Sequence, residues 1–259
     1  MPEKEVDIPI EKETASEYII IETDDQHDQH RCITSHKATV RERVGDTLFE
    51  FSAGSFFQNN NSILEPLTSY VRDAVFSLPL LSSSEARDSE SGSSNRKIPT
   101  HLVDTYCGSG LFSLTLSPHF SHIAGIEIDP AAIRAAQHNC TLNELSAPKH
   151  KFHAGKSEDI FASVLSSSEE TFPPDDTVVV IDPPRKGCDE SFIDQVVNFS
   201  PSILVYVSCN VHTQARDVGM LMRRMEAKGE GKFILESLRG FDLFPQTAHV
   251  ESVAVLRRV

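Results

Sequence analysis

The sequence predicts an α/β protein: a mostly parallel, doubly wound sheet covered by helices on both faces, with a short β appendage ahead of it. Three observations carry that prediction. From Pro99 onward, apolar runs of strand length (HLVDTY, HIAGIEI, TVVVID, SILVYVS) alternate with helical stretches such as PAAIRAAQHNCTLNEL and HTQARDVGMLMRRMEAKG, the rhythm of βαβ units. Most of these runs are nearly continuous in apolar residues, as strands buried on both faces are. Glycine and proline turns (YCGSG, DPPRKG) close two of them, at the edge where an open sheet of this kind binds its ligands.

Composition sets the outer limits. The chain has 259 residues, 39% of them hydrophobic, enough for one large core. No stretch approaches the roughly 20 uninterrupted apolar residues that cross a bilayer, and Met1 to Ile10 lacks a basic region followed by an apolar one. A soluble intracellular protein with no membrane partner is expected, its compartment undefined. Cys32, Cys107, Cys140, Cys188 and Cys209 are scattered without a CxxC pair, which argues against a disulfide framework or a zinc module. The formal net charge is -14, but residues 1–30 hold ten acids and two bases, so -8 of it belongs to them and -6 to the rest. A local basic groove for nucleic acid is therefore not excluded.

Taken in order, residues 1–30 read as an acidic extension without fixed structure. Residues 31–58 read as a short β appendage, with EYIIIE near Ile20 and the pair KATVRERV and TLFEFS resembling a small antiparallel unit. Residues 59–259 form the main domain. Residues 62–78, SILEPLTSYVRDAVFSL, place apolar residues at helical spacing, with Pro66 early enough for a first turn. Residues 82–97 contain seven serines and almost nothing apolar, the composition of a disordered surface insertion. At the far end FILESLRGFDLF and HVESVAVLRRV follow each other without a helix between them, so they should pair antiparallel.

Residues 102–116, LVDTYCGSGLFSLTL, are a strand, a Gly108–Ser109–Gly110 turn and a helix start. Glycines there let the backbone approach a ligand. Ser113 stands where a dinucleotide fingerprint needs its last glycine. Glu127 closes the next strand, 17 residues after Gly110, placed to accept ribose hydroxyls. With Asp104, Gly108, Gly110 and Glu127 in register, the site suits a nucleoside cofactor, and S-adenosyl-L-methionine fits better than a dinucleotide.

Residues 177–187, TVVVIDPPRKG, end a buried strand in Asp182 followed by two prolines that fix the chain. Enzymes that methylate exocyclic amines carry an aromatic residue where Arg185 stands, which disfavours that chemistry. Cys209 ends the following strand, LVYVSCN, and so reaches the same edge. A thiol there suits a carbon that becomes nucleophilic only after addition beside it. Uracil C5 is such a carbon: thiolate addition at C6 makes an enolate whose C5 accepts an electrophilic methyl group, after which a base removes the C5 proton. In the terminal strand His249 and Glu251 share one face, and Glu251 is the candidate base. Lowering a thiol pKa from about 8.5 to about 6.5 gives only a few-fold net gain, whereas positioning can supply about 7 to 11 kcal/mol. His212 is a candidate activator of the thiol, and Arg185 and His249 are candidate substrate contacts.

Five blocks in order, FSAGSFFQNN, DTYCGSG, GIEID, DPPRKG and SCN, followed by FPQTAHVE, resemble the S-adenosylmethionine-dependent RNA (uracil-5-)-methyltransferases from about residue 50 to Val259. The resemblance implies a Rossmann-like methyltransferase fold with an antiparallel last strand. It also implies Cys209 as nucleophile, Glu251 as base, and Gln58, Tyr106, Glu127 and Asp182 as cofactor contacts. The implied partner is RNA, tRNA foremost, and a monomer is expected. Two departures stand out: Leu111 replaces an asparagine and Val211 a proline found in many members. The family's extra N-terminal RNA-binding region and the cysteine cluster of its iron–sulfur members are not seen here, so a fragment or a reduced form is expected. His27, His30, Cys32 and His36 match no common zinc spacing, and no metal is expected. Ribosomal RNA as substrate, methylation of cytosine C5, and a non-catalytic RNA-binding or assembly role stay open.

Overall fold

A computed structural model describes residues 18–22, 29–33, 35–76, 97–165 and 171–259. Its centre is a seven-stranded sheet of order β10-β11-β9-β8-β5-β6-β7. The strands are β5 (His101–Thr105), β6 (His122–Glu127), β7 (His150–Ala154), β8 (Thr177–Ile181), β9 (Ile203–Ser208), β10 (Phe233–Phe241) and β11 (Glu251–Arg258). The β9-β8-β5-β6-β7 portion is parallel, and β11 runs antiparallel to both β9 and β10. The last two extended segments pair as the sequence predicts, with β11 inserted into the sheet's interior.

The near-continuous apolar strands are buried on both sides. Val178, Val180, Val205, Val207, Val253 and Val255 face one core with Leu64, Leu67 and Val71 of α1 (Leu64–Phe76). Their neighbours Val179, Ile181, Leu204, Tyr206 and Ala254 face a second core. That core is built with α4 (Ser157–Leu165), α5 (Glu190–Phe199) and α6 (Val211–Lys228). This period-two division is what a sheet between two helical layers requires. β7 (HKFHA) and α5 stood out least in the sequence. β7 is an edge strand with one fully buried residue, His150, and so lacks the apolar run that marks its neighbours.

Two hairpins precede the sheet, β1 (Tyr18–Glu22) with β2 (Gln29–Ile33), and β3 (Thr39–Val44) with β4 (Thr47–Ser52). The first spans the boundary drawn at residue 30, and its strand Tyr18–Glu22 is rich in β-branched residues that favour extended backbone. The rest of the acidic extension, and the Ser-rich insertion apart from Lys97, lie outside the described residues. The second hairpin docks on α3 (Pro130–Leu142) through two asparagines. Asn139 accepts from the Glu50 N–H at 2.8 Å and donates to the Ser109 carbonyl at 3.1 Å. Asn143 accepts from and donates to the Leu48 backbone at 2.8 and 2.7 Å. Asn139→Ala is expected to strand a buried N–H and a carbonyl, lowering stability by about 1–3 kcal/mol. A urea titration should show a lower midpoint at unchanged slope.

Candidate active site

A cavity of about 910 Å3 lies along the carboxyl ends of β5, β6, β8 and β9. Parallel strands deliver their last residues to one edge: Tyr106 after β5, Glu127 at the end of β6, Asp182 after β8 and Cys209 after β9. Because β11 runs the other way, its first residue, Glu251, reaches the same edge. Ser252 pairs with Ser208 as the last position of the β9–β11 ladder, so Glu251 and Cys209 are the residues next to that pair, and both line the cavity. Gln58, Gly108 and Arg185 complete the predicted residues lining the cavity.

The structure does not bring His249 to the cavity wall. It is exposed, and its ring meets the edge of Phe244, which does line the cavity. His212 is likewise exposed and off the wall, at the start of α6, where its N–H donates to Asn210 Oδ1 at 3.1 Å. An activating role for its imidazole finds no support there.

Local geometry explains the glycine turn. Tyr106 has φ 63° and Gly108 and Gly110 have φ 54° and 96°, left-handed backbone that costs a side-chain-bearing residue energy. Tyr106 is held there by its hydroxyl, which donates to Glu158 Oε1 at 2.9 Å. Glu127 spans the turn with one oxygen accepting from the Gly108 N–H at 3.1 Å and the other from the Asp129 N–H at 2.9 Å. Beneath it, buried Asp104 accepts from the N–H and hydroxyl of Ser113 at 2.9 and 2.7 Å, while its Oδ1 has no partner.

The electrostatics are acidic. Burial pushes Asp104 and Asp182 each up to about 7, although Asp182 keeps some surface open to the cavity. Burial, with the Asp182 charge adding, pushes Glu251 up to about 8 against the opposing pull of Arg185. The Cys209 thiol is also raised, by burial and then by Glu251, while the nearby Arg185 guanidinium pulls it down. Burial and the Glu251 carboxyl thus disfavour a standing thiolate at Cys209. Glu251 is 1% exposed, and β11 lies inside the sheet between β9 and β10, so this carboxyl is not a solvated strand charge.

One consequence concerns stability. The Glu251 carboxyl ionises near 4.5 in the unfolded chain and near 8 in the folded one. The folded state thus binds the extra proton between those values, and this group's contribution falls as pH rises from 4.5 to 8. Glu251→Gln is expected to melt higher than the parent at pH 8.5, by an amount on the order of a few kcal/mol. The difference should vanish near pH 4.5, which differential scanning calorimetry would show.

The sequence profile described as tRNA (uracil-5-)-methyltransferase matches residues 93–259. The chain belongs to that family. It is 46% identical over 231 residues to a tRNA (uracil(54)-C(5))-methyltransferase of Schizosaccharomyces pombe, covering 89% of this chain and 40% of the relative. It is 41% identical over 228 residues to the enzyme of the same description from Saccharomyces cerevisiae, covering 88% and 32%. Among solved structures, the Pyrococcus abyssi tRNA (uracil-54, C5)-methyltransferase in complex with S-adenosyl-L-homocysteine matches with a TM-score of 0.62 at 26% identity, covering 88% of this chain and 46% of that one. The chain thus spans less than half the length of each.

Family membership makes the rest of the cavity wall relevant. Phe56 and Ile128 are 78% and 58% exposed while lining the cavity, a cost that a planar ligand would offset. Asp159 and Phe244 also face it. Sequence reasoning passed over them because an exposed apolar or acidic residue carries no signal until the fold shows what it borders. Among the described residues no group of three or more His, Cys, Asp or Glu side chains could hold a metal ion, and no helix is long and apolar enough to cross a membrane.

Proposed function

We propose that this chain is the catalytic portion of an S-adenosylmethionine-dependent enzyme that methylates C5 of a uridine in RNA, with tRNA as the substrate class. The observation that carries the reading is the end of the β9–β11 ladder at Ser208 and Ser252, which leaves Cys209 and Glu251 next to that pair on the cavity edge. The relatives' descriptions support the choice of uracil C5 and of tRNA.

The residues present fit the cofactor. The wall combines the exposed Ile128 beside Glu127 with the raised carboxyl of Asp182, and behind it lies buried Asp104 with its unpartnered Oδ1. An apolar face suits an adenine ring, Glu127 the ribose diol, and the acidic cluster a ligand carrying positive charge. Gln58, Tyr106, Gly108, Glu127 and Asp182 would hold it. S-adenosylmethionine supplies an electrophilic methyl group when bound.

The chain's own groups do the rest. Cys209 Sγ, once deprotonated, forms a bond to C6 of the uracil, and the electron pair of the C5–C6 double bond moves onto C5 and O4. C5 would then take the electrophilic methyl group that S-adenosylmethionine, held by Gln58, Tyr106, Gly108, Glu127 and Asp182, would supply, with S-adenosylhomocysteine as the leaving group. The Glu251 carboxylate takes the C5 proton, the C5–C6 double bond re-forms, and the C6–Sγ bond breaks to return the thiolate. Arg185 faces both Cys209 and Glu251 and favours their charged forms. The target base must leave its stack to reach Sγ.

The test is denaturing electrophoresis after mixing the protein with 5-fluorouridine-substituted tRNA and S-adenosylmethionine. Fluorine at C5 blocks proton removal, so a slower band that depends on Cys209 is expected. Cofactor binding with no such band on any RNA would overturn the reading and favour a non-catalytic role.

A further inference from the structure

The segment that carries Arg185 is held by α6 rather than by its own strand. The Arg185 carbonyl accepts from Asn210 Nδ2 at 3.1 Å and from Thr213 Oγ1 at 3.2 Å, and the Lys186 carbonyl from an Arg216 guanidinium nitrogen at 2.8 Å. At the centre is Asp217, whose side chain is fully buried. Its Oδ2 accepts from the Cys188 N–H and the Tyr206 hydroxyl, both at 2.7 Å, and its Oδ1 from Arg216 Nε at 2.8 Å. Gly187 lies between, with φ +80°, and a Cβ there would stand 2.4 Å from Asp217 Oδ2. The turn is thus pressed against a carboxyl group that touches neither the cavity nor any residue of the proposed chemistry.

A buried carboxyl carries a desolvation cost, and neutral groups could close a helix–loop contact without it. What Asp217 supplies is direction: it orients Arg216, which with Asn210 and Thr213 pins the carbonyls of Arg185 and Lys186. Asn210 is also the chain neighbour of Cys209, tied back to Ser208 by paired hydrogen bonds of 3.0 and 3.1 Å.

We propose that Asp217 is a positioning residue which, through Arg216 and the Arg185–Cys188 segment, sets the Arg185 guanidinium against the Cys209 thiol. Helix α6 thereby governs the readiness of the nucleophile from outside the cavity. This rests on the reading of Cys209 as nucleophile, but its test needs no RNA. The groups acting on Cys209 are Arg185 and Asp182 from the segment after β8 and Glu251 from β11. Those facing Asp217 are Arg216 on α6, Tyr206 on β9 and Cys188 on the loop.

The experiment is the rate of Cys209 alkylation by iodoacetamide against pH, followed by peptide mass spectrometry on the whole chain. Arg185→Gln is expected to move the midpoint upward and slow the reaction at pH 7.5 by about three- to tenfold. Asp217→Asn should do the same, as should Thr213→Val, which removes one hydrogen bond at the surface and decides the matter if Asp217→Asn fails to fold by circular dichroism. A midpoint that moves in Arg185→Gln and stays in the folded α6 variants overturns the proposal, and so does one that stays in all of them. A lower melting temperature alone would mark a merely structural role. Trapping on 5-fluorouridine tRNA reports separately on the methylation reading, so the two can fail independently.

Discussion

Cys209→Ala is expected to lower uridine methylation by about four to six orders of magnitude, the scale of losing a covalent nucleophile from a set that acts as a unit. Tritium release from C5-labelled uridine tRNA measures it directly. Without Sγ there is no addition at C6, and C5 stays an unreactive vinylic carbon however well the methyl donor is placed. Cofactor affinity, read by calorimetry, should change little, because Cys209 stands one position beyond β9 and apart from the turn formed by Tyr106 and Gly108. A variant that retained normal turnover would exclude the covalent route.

Glu251→Gln should fail later in the cycle. The amide cannot take the C5 proton, so methyl transfer completes once and the enzyme remains bonded to a methylated base. Turnover is expected to fall by about 10²–10⁴-fold, with a covalent complex accumulating on ordinary tRNA, without fluorine. A raised carboxyl also sets the pH dependence. Glu251 must be ionised to act, and its folded value is about 8, so kcat/KM should rise through that region as pH increases. Losing the complex together with turnover would instead move the role of Glu251 to the addition step.

Much of this was legible in the sequence because one physical rule links strand ends to sites. In a parallel sheet the carboxyl ends of all strands lie on one edge, so Asp104–Gly110, Glu127, Asp182 and Cys209 could be brought together from order alone. The helix at Leu64–Phe76 and the pairing of the last two strands followed from period and from the missing helix between them. What could not be read was environment. His249 and Glu251 share a face by alternation, yet one is exposed beside Phe244 and the other is 1% exposed against the thiol. Cys209 was free to be read as an activated thiol, whereas the folded site raises it.

The sequence by itself determined which groups are present, in what order, and that they end strands: a thiol, carboxyl groups, a glycine turn and a proline-fixed loop. Only the tertiary structure decided which of them meet and in what protonation state. The pairing of Ser252 with Ser208 brings Glu251 and Cys209 to the same end of the ladder, and it depends on β11 inserting antiparallel between β9 and β10, a long-range contact that no local pattern encodes. Burial then sets the carboxyl groups' affinity for protons, because desolvation depends on everything packed around a group rather than on its neighbours in the chain. Asp217 shows the same limit: in sequence it is one more acid on a helix, and only the turn pressed against it gives it a role.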